Sequence, residues 1–142
     1  MKRLTLILSL FFIHITDTFS QAESPENEII VNISNFKSNK GQALIGLYNK
    51  KENFLKTRFK SFQVKIENNS CTVVFSDIPN GTYAVSMFHD ENENGKIDTN
   101  FLGVPKEDYG CSNNAKGVMG PPKWEDAKFE INNETITQNI SL

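Results

Sequence analysis

The chain has 142 residues, enough for one domain, with 38% hydrophobic and 23% charged residues and a net charge of −2 at neutral pH. That mild acidity, without a basic stripe or a run of like charges, gives no electrostatic case for nucleic acid or an anionic membrane surface.

The first stretch, MKRLTLILSLFFIHITDTFSQ, opens on Lys2 and Arg3, continues through an apolar run from Leu4 to Ile15, and reaches Thr18 and Ser20. Basic end, apolar middle and small-residue exit are the layout of a secretory signal peptide, with cleavage expected after Ser20. The apolar run falls short of the about 20 residues that a permanent span needs, so no membrane span is expected after cleavage. Removing residues 1–20 takes away Lys2, Arg3 and Asp17 and leaves a net charge of −3. The protein is therefore expected to be exported, to the periplasm of a Gram-negative bacterium or to the outside of the cell. Residues 21–27, QAESPEN, read as a polar leader, and residues 28–142 as a single domain.

Beyond the leader the hydrophobic pattern has period two, the mark of half-buried strands. Ile29, Val31 and Ile33 share a face, as do Ala43, Ile45 and Leu47, with Leu44 and Tyr48 opposite. Phe62, Val64 and Ile66 alternate with polar residues, and Cys71, Val73 and Phe75 form the next set. Tyr83, Val85 and Met87 follow, then Ala127, Phe129 and Ile131, and finally Ile136, Ile140 and Leu142. Between the second and third runs, KKENFLKTRF suits one or two helical turns, with Phe54 and Leu55 laid over an edge. Asn39-Lys40-Gly41, Asn68-Asn69, Pro79-Asn80-Gly81 and Asn132-Asn133 are turn signals. Around Pro79 and Gly81, Phe75, Ile78 and Tyr83 can pack on a tight reversal. About seven short alternating strands predict an all-β, immunoglobulin-like or prealbumin-like antiparallel β-sandwich, because a lone sheet would leave an apolar face wet. No helix long enough for a βαβ crossover is present in the pattern, which argues against most nucleotide folds.

One segment, from Asp90 to about Asp126, carries no strand pattern. A stretch this long in a small domain is usually functional or disordered. Its apolar residues, among them Phe101, Leu102, Val104, Val118, Met119 and Trp124, predict an ordered excursion anchored on one end of the sandwich. The two cysteines, Cys71 and Cys111, are too few to define a disulfide framework, and Cys71 reads as a small core hydrophobe.

Residues 89–103, HDENENGKIDTNFLG, are the most ordered chemical pattern in the chain. Hard cations such as Ca²⁺ need six to eight oxygens. Asp90, Asn92 and Asn94 supply side-chain oxygens at the first, third and fifth positions, and Gly95 permits a sharp turn at the sixth. Lys96 offers its backbone carbonyl, Asp98 stands ninth, and Ile97 is expected to point into the core. The twelfth position, a bidentate Glu in an EF-hand, is Phe101 here. The missing ligand is then expected from Asp98 itself, Glu107 or Asp108. The opposing reading is a plain Asx-rich turn. Zinc is disfavoured, since His89 is the one histidine beyond residue 20.

His89 precedes the loop and continues the Tyr83–Met87 face, which suits a histidine at the rim of the core bonded to loop backbone. Two alternatives remain. A small metal-assisted hydrolase could use His89, although no G-x-S-x-G elbow or triad spacing supports Cys111 or Ser112 as its nucleophile. A carbohydrate-binding module could use Tyr109, Trp124 and Phe101, unless those rings merely staple the segment to the sandwich. The partner stays open between a cell-envelope protein and a glycan.

Taken together, FSDIPNGTYAVSMFHDENENGKIDTNFLGVPKEDYG, SNNAKG and GPPKWEDAKF resemble domain-of-unknown-function family 2141, uncharacterised exported bacterial proteins. The resemblance covers most of residues 28–142. It implies that His89, Asp90, Asn92, Asn94, Gly95 and Asp98 belong to a shared motif, followed by Gly103 to Pro105 and Gly120 to Pro122. It implies no catalytic residue. This chain departs from the family pattern near Asp108 and Cys111, where Gly and an aromatic are more usual, which disfavours Asp108 as a ligand and suggests that Cys111 is a free thiol.

Overall fold

A computed structural model describes residues 27–142. The expected signal peptide and all of the leader but Asn27 lie outside them. Asn27 itself is buried and already part of the domain: its carboxamide donates to the Ile78 carbonyl (3.0 Å) and to Asn80 (2.8 Å).

Among the described residues, eight strands form two sheets. The first holds β1 (Ile29–Ser34) between β4 (Ser70–Phe75) and β8 (Ile136–Ser141). In the second, β3 (Lys60–Lys65), β2 (Gln42–Tyr48), β5 (Gly81–Asp90) and β6 (Tyr109–Cys111) lie in that order. Strand β7 (Phe129–Ile131) pairs with the start of β5, on residues Gly81–Tyr83, while β6 pairs with Ser86–Phe88. Every ladder is antiparallel except β1 with β8, which run parallel with Ile29 opposite Ile136. First and last strands thus close the first sheet, with the rest of the chain as their crossover.

The alternation places the core where period two demands. Ile29, Val31 and Ile33 of β1 meet Ile45 and Leu47 of β2 and Val85 and Met87 of β5, all essentially without solvent exposure. Phe75, Ile78 and Tyr83 close the bottom of this core, and the Tyr83 hydroxyl donates to the Pro79 carbonyl (2.8 Å), fixing the reversal between β4 and β5.

The outward face of β2 and β5 is buried as well. Leu44 pairs with Phe88 and Tyr48 with Ala84, and none exceeds 9% exposure. The segment after β5 lies over them. Its Trp124 begins a single helical turn, α1 (Trp124–Ala127), and packs edge-on against Phe54, which packs on Tyr48. Ala127 therefore ends this turn instead of opening a strand. The short helical piece between β2 and β3 is a 3-10 turn, Lys51–Asn53; it buries Phe54 but leaves Leu55 exposed. Of the expected anchors of the long segment, Trp124 is buried, whereas Phe101, Leu102, Val104, Val118 and Met119 face solvent. Polar groups add to the anchoring by Trp124: the buried Ser112 hydroxyl accepts from the Val85 N–H (2.9 Å) and donates to the Ala127 carbonyl (2.5 Å).

Both cysteines are free. Cys71 packs on the core from β4 and Cys111 lies in the outer cluster around Trp124. Burial pushes each thiol up to about 11, Ser86 drawing Cys111 slightly back. Since the folded values are raised, the stability the protonated thiols contribute is complete below their unfolded value near 8.5 and fades as pH climbs toward 11. At pH 8 both are expected to react slowly with a disulfide reagent in the folded protein and to count as two thiols once it is denatured. A count of zero would show a disulfide instead.

Candidate metal centre

The last residues of β5 alternate like the rest. Met87 and His89 face the core; Phe88 and Asp90 face outward. Asp90 nevertheless has no exposure, because the following loop curls back over it. One carboxylate oxygen accepts from the Gln42 carboxamide across the sheet (3.0 Å) and from the Gly95 N–H (2.9 Å); the other accepts from the Asn94 N–H (3.0 Å). Burial alone would raise this carboxyl, but the hydrogen bonds from Gln42 and from the loop backbone outweigh it and hold Asp90 below the usual carboxylate value. A buried anion thus organises the turn.

Two carboxamides continue the wrapping. Asn92 Oδ1 accepts from the Asn94 N–H (3.2 Å) and Asn94 Oδ1 from the Lys96 N–H (2.8 Å). Their Nδ2 groups both donate to Asp98, Asn92 at 2.7 Å and Asn94 at 3.0 Å. Lys96 lies between Asn94 and Asp98 in the turn, its N–H held by the Asn94 carboxamide. The left-handed residues Glu93 (φ 57°) and Gly95 (φ 77°) bend the chain here.

Glu107 completes the ring. Residues 98–106 double back on themselves: the Lys106 N–H donates to the Asp98 carbonyl, and Thr99 bridges to Pro105. This delivers the nearly buried Glu107 carboxylate to the Asp98 N–H (2.9 Å) and the Glu91 N–H (3.1 Å). Asp108 goes elsewhere; its side chain pairs with Lys37 (2.7 Å), and its carbonyl accepts from the His89 N–H. Ile97, expected in the core, is instead 37% exposed on the outer side. The loop leaves β5 from an outward-facing residue, so its eighth position meets the outer face.

Asp90, Asn92, Asn94, Asp98 and Glu107 therefore gather at one end of β5. Among the described residues, no three carboxylates, thiols or imidazoles stand close enough to make a metal cluster by themselves. A shell here needs the two carboxamides and backbone carbonyls as well, which is the donor set of a hard cation and not of zinc. The hydrogen-bonding roles of Gln42 and Ser112 had no signal in the sequence, because they depend on which segment lies beside β5.

His89 is fully buried. Its Nε2 donates to the Lys40 carbonyl (2.6 Å), Phe36 packs edge-on against the ring, and Nδ1 has no hydrogen-bond partner, with Glu91 4.0 Å away. The ring does not reach solvent, so the geometry offers a hydrolase no base that a substrate could meet. Ser112 is bonded at Val85, four residues and about 13 Å back along β5 from His89. Nor do Tyr109, Trp124 and Phe101 form a platform: Trp124 is buried, while Phe101 is 95% exposed.

A family model described as "Uncharacterized protein conserved in bacteria (DUF2141)" matches residues 31–139, which run from β1 into β8. No curated protein and no solved structure matches the chain.

Proposed function

The chain belongs to this DUF2141 family of bacterial proteins, and from that footing we propose that it is an exported β-sandwich module whose Asp90–Asp98 loop takes a calcium ion and thereby orders the segment laid over the outer sheet face. The observation that carries the reading is the gathering of five oxygen-bearing side chains, Asp90, Asn92, Asn94, Asp98 and Glu107, around one turn. Two of them, Asn92 and Asn94, present N–H groups to Asp98. Rotation of each carboxamide would present oxygen instead, giving up the two bonds to Asp98 and the two that the oxygens accept from the Asn94 and Lys96 N–H groups, so a cation would replace four hydrogen bonds with metal–oxygen contacts. The layout of residues 2–20 supports export.

Affinity is expected to be weak, on the order of 10⁻⁴ to 10⁻³ M as in extracellular calcium modules. Calcium at about ten times the Kd should then raise the melting temperature by roughly 5 °C over EDTA, with magnesium doing less. Asp98→Asn removes a charge facing the carboxamides and should abolish that increment. A wild-type melting curve indifferent to calcium up to about 10 mM would sink the reading.

A further inference from the structure

Between the outer face of the second sheet and the long segment lies a cavity of about 790 Å³, within the ~300–1,000 Å³ typical of small-molecule sites. Its floor is Ser86 and Phe88 of β5, with Tyr48 and Tyr109 beside them. Two apolar lips rise over it. One carries Ile97, Leu102 and Val104; the other carries Val118, Met119 and Pro121. Leu102, Val118 and Met119 are 72%, 98% and 101% exposed, so the lips face each other across open space with nothing packed on them. Such apolar surface around a concavity marks a site of binding.

The charges are one-sided. The lining residues include Arg58 and Lys96 and no carboxylate. Neither cation has an ion-pair partner among the described residues. Arg58 lies flat on the sheet because Gly46 leaves it room: a Cβ there would stand 2.9 Å from Arg58 Cδ. An apolar trough with cations at floor and rim suits a ligand with an aliphatic body and one anionic end.

We propose that this cavity binds a single-chain aliphatic carboxylate, its chain laid between the two lips over Phe88 and its head on Arg58, with Lys96 at the rim. The proposal uses the cavity as it stands and does not rest on the calcium reading, so binding is measured in EDTA and again in calcium.

The probe is decanoate, followed by calorimetry on the purified protein, with decanol and hexanoate as comparisons. Decanoate is expected to bind one-to-one and more tightly than hexanoate, by up to about fourfold for each methylene buried. Decanol, which has the chain without the charge, should bind about tenfold more weakly. Arg58→Gln should weaken decanoate by about tenfold while leaving decanol unchanged. Met119→Asp, at a fully exposed lip where folding is not at stake, should weaken decanoate through both charge and lost apolar contact. Absence of saturable decanoate binding, equal affinity for decanol and decanoate, or indifference to both substitutions would overturn the proposal.

Discussion

Gly41→Ala is expected to lower the melting temperature by about 12 °C, corresponding to about 3 kcal/mol in a domain of this size. Gly41 ends the turn into β2 with φ 70°, and a Cβ there would stand 2.2 Å from the Asp90 carbonyl oxygen and 2.7 Å from the Glu91 Cα. The left-handed conformation alone costs a non-glycine residue about 1–2 kcal/mol. The rest comes from the close approach, since both contacts are backbone and cannot turn aside. Relief requires β2 to draw away from β5 where Gln42 pairs with Asp90, which loosens the carboxylate that organises the loop. Gly95→Ala is the control. Its φ is 77°, but no atom lies within 4 Å of the added Cβ, so only the conformational cost, about 1 kcal/mol and about 4 °C, should appear. Thermal melts of the two variants side by side measure the difference; equal losses would show that the approach to Asp90 is not tight.

The contrast between these glycines marks how far the sequence could be read. Alternation assigned the inward faces of β1, β2, β4 and β5 correctly, because a period of two leaves no freedom about which residues share a side. It could not assign β6, whose three residues are too few to alternate. It also could not say that Leu44, Tyr48, Ala84 and Phe88 would be covered, since that depends on where the long segment travels. The loop shows the same division. Spacing brought Asp90, Asn92, Asn94 and Asp98 to one turn. The direction of Ile97 followed instead from the outward facing of Asp90, which only the strand register fixes. Glu107 and Asp108 were both candidates to close the ring. One residue of register separates them: with the Asp108 carbonyl taking the His89 N–H, its side chain meets Lys37, and Glu107 turns to the loop.

Asp90→Ala should be costly even without calcium, and this separates the skeleton of the loop from any ion it holds. The carboxylate is fully buried and accepts three hydrogen bonds, from Gln42, Asn94 and Gly95. Alanine removes the acceptor and leaves those donors to find water or remain unpaired, at about 1–3 kcal/mol for each that stays buried. A loss of about 3 kcal/mol in EDTA is expected, read as a melting temperature lower by roughly 12 °C. Its pH dependence has a fixed sign. Because the folded carboxyl is held below its ordinary value, its contribution is complete above about pH 4 and is lost as pH falls through the folded value. Wild type and Asp90→Ala should therefore differ most at neutral pH and converge in acid. Asp98→Asn should behave differently: its carboxylate accepts only from two exposed carboxamides, so its loss in EDTA should stay below about 1 kcal/mol, as for other exposed pairs. The two variants together read different things, the first the buried anion on which the turn is built, the second the charge that would meet a cation. If Asp90→Ala melts with wild type in EDTA at pH 7, the buried carboxylate does not hold this loop, and the hydrogen bonds around it contribute nothing to the fold.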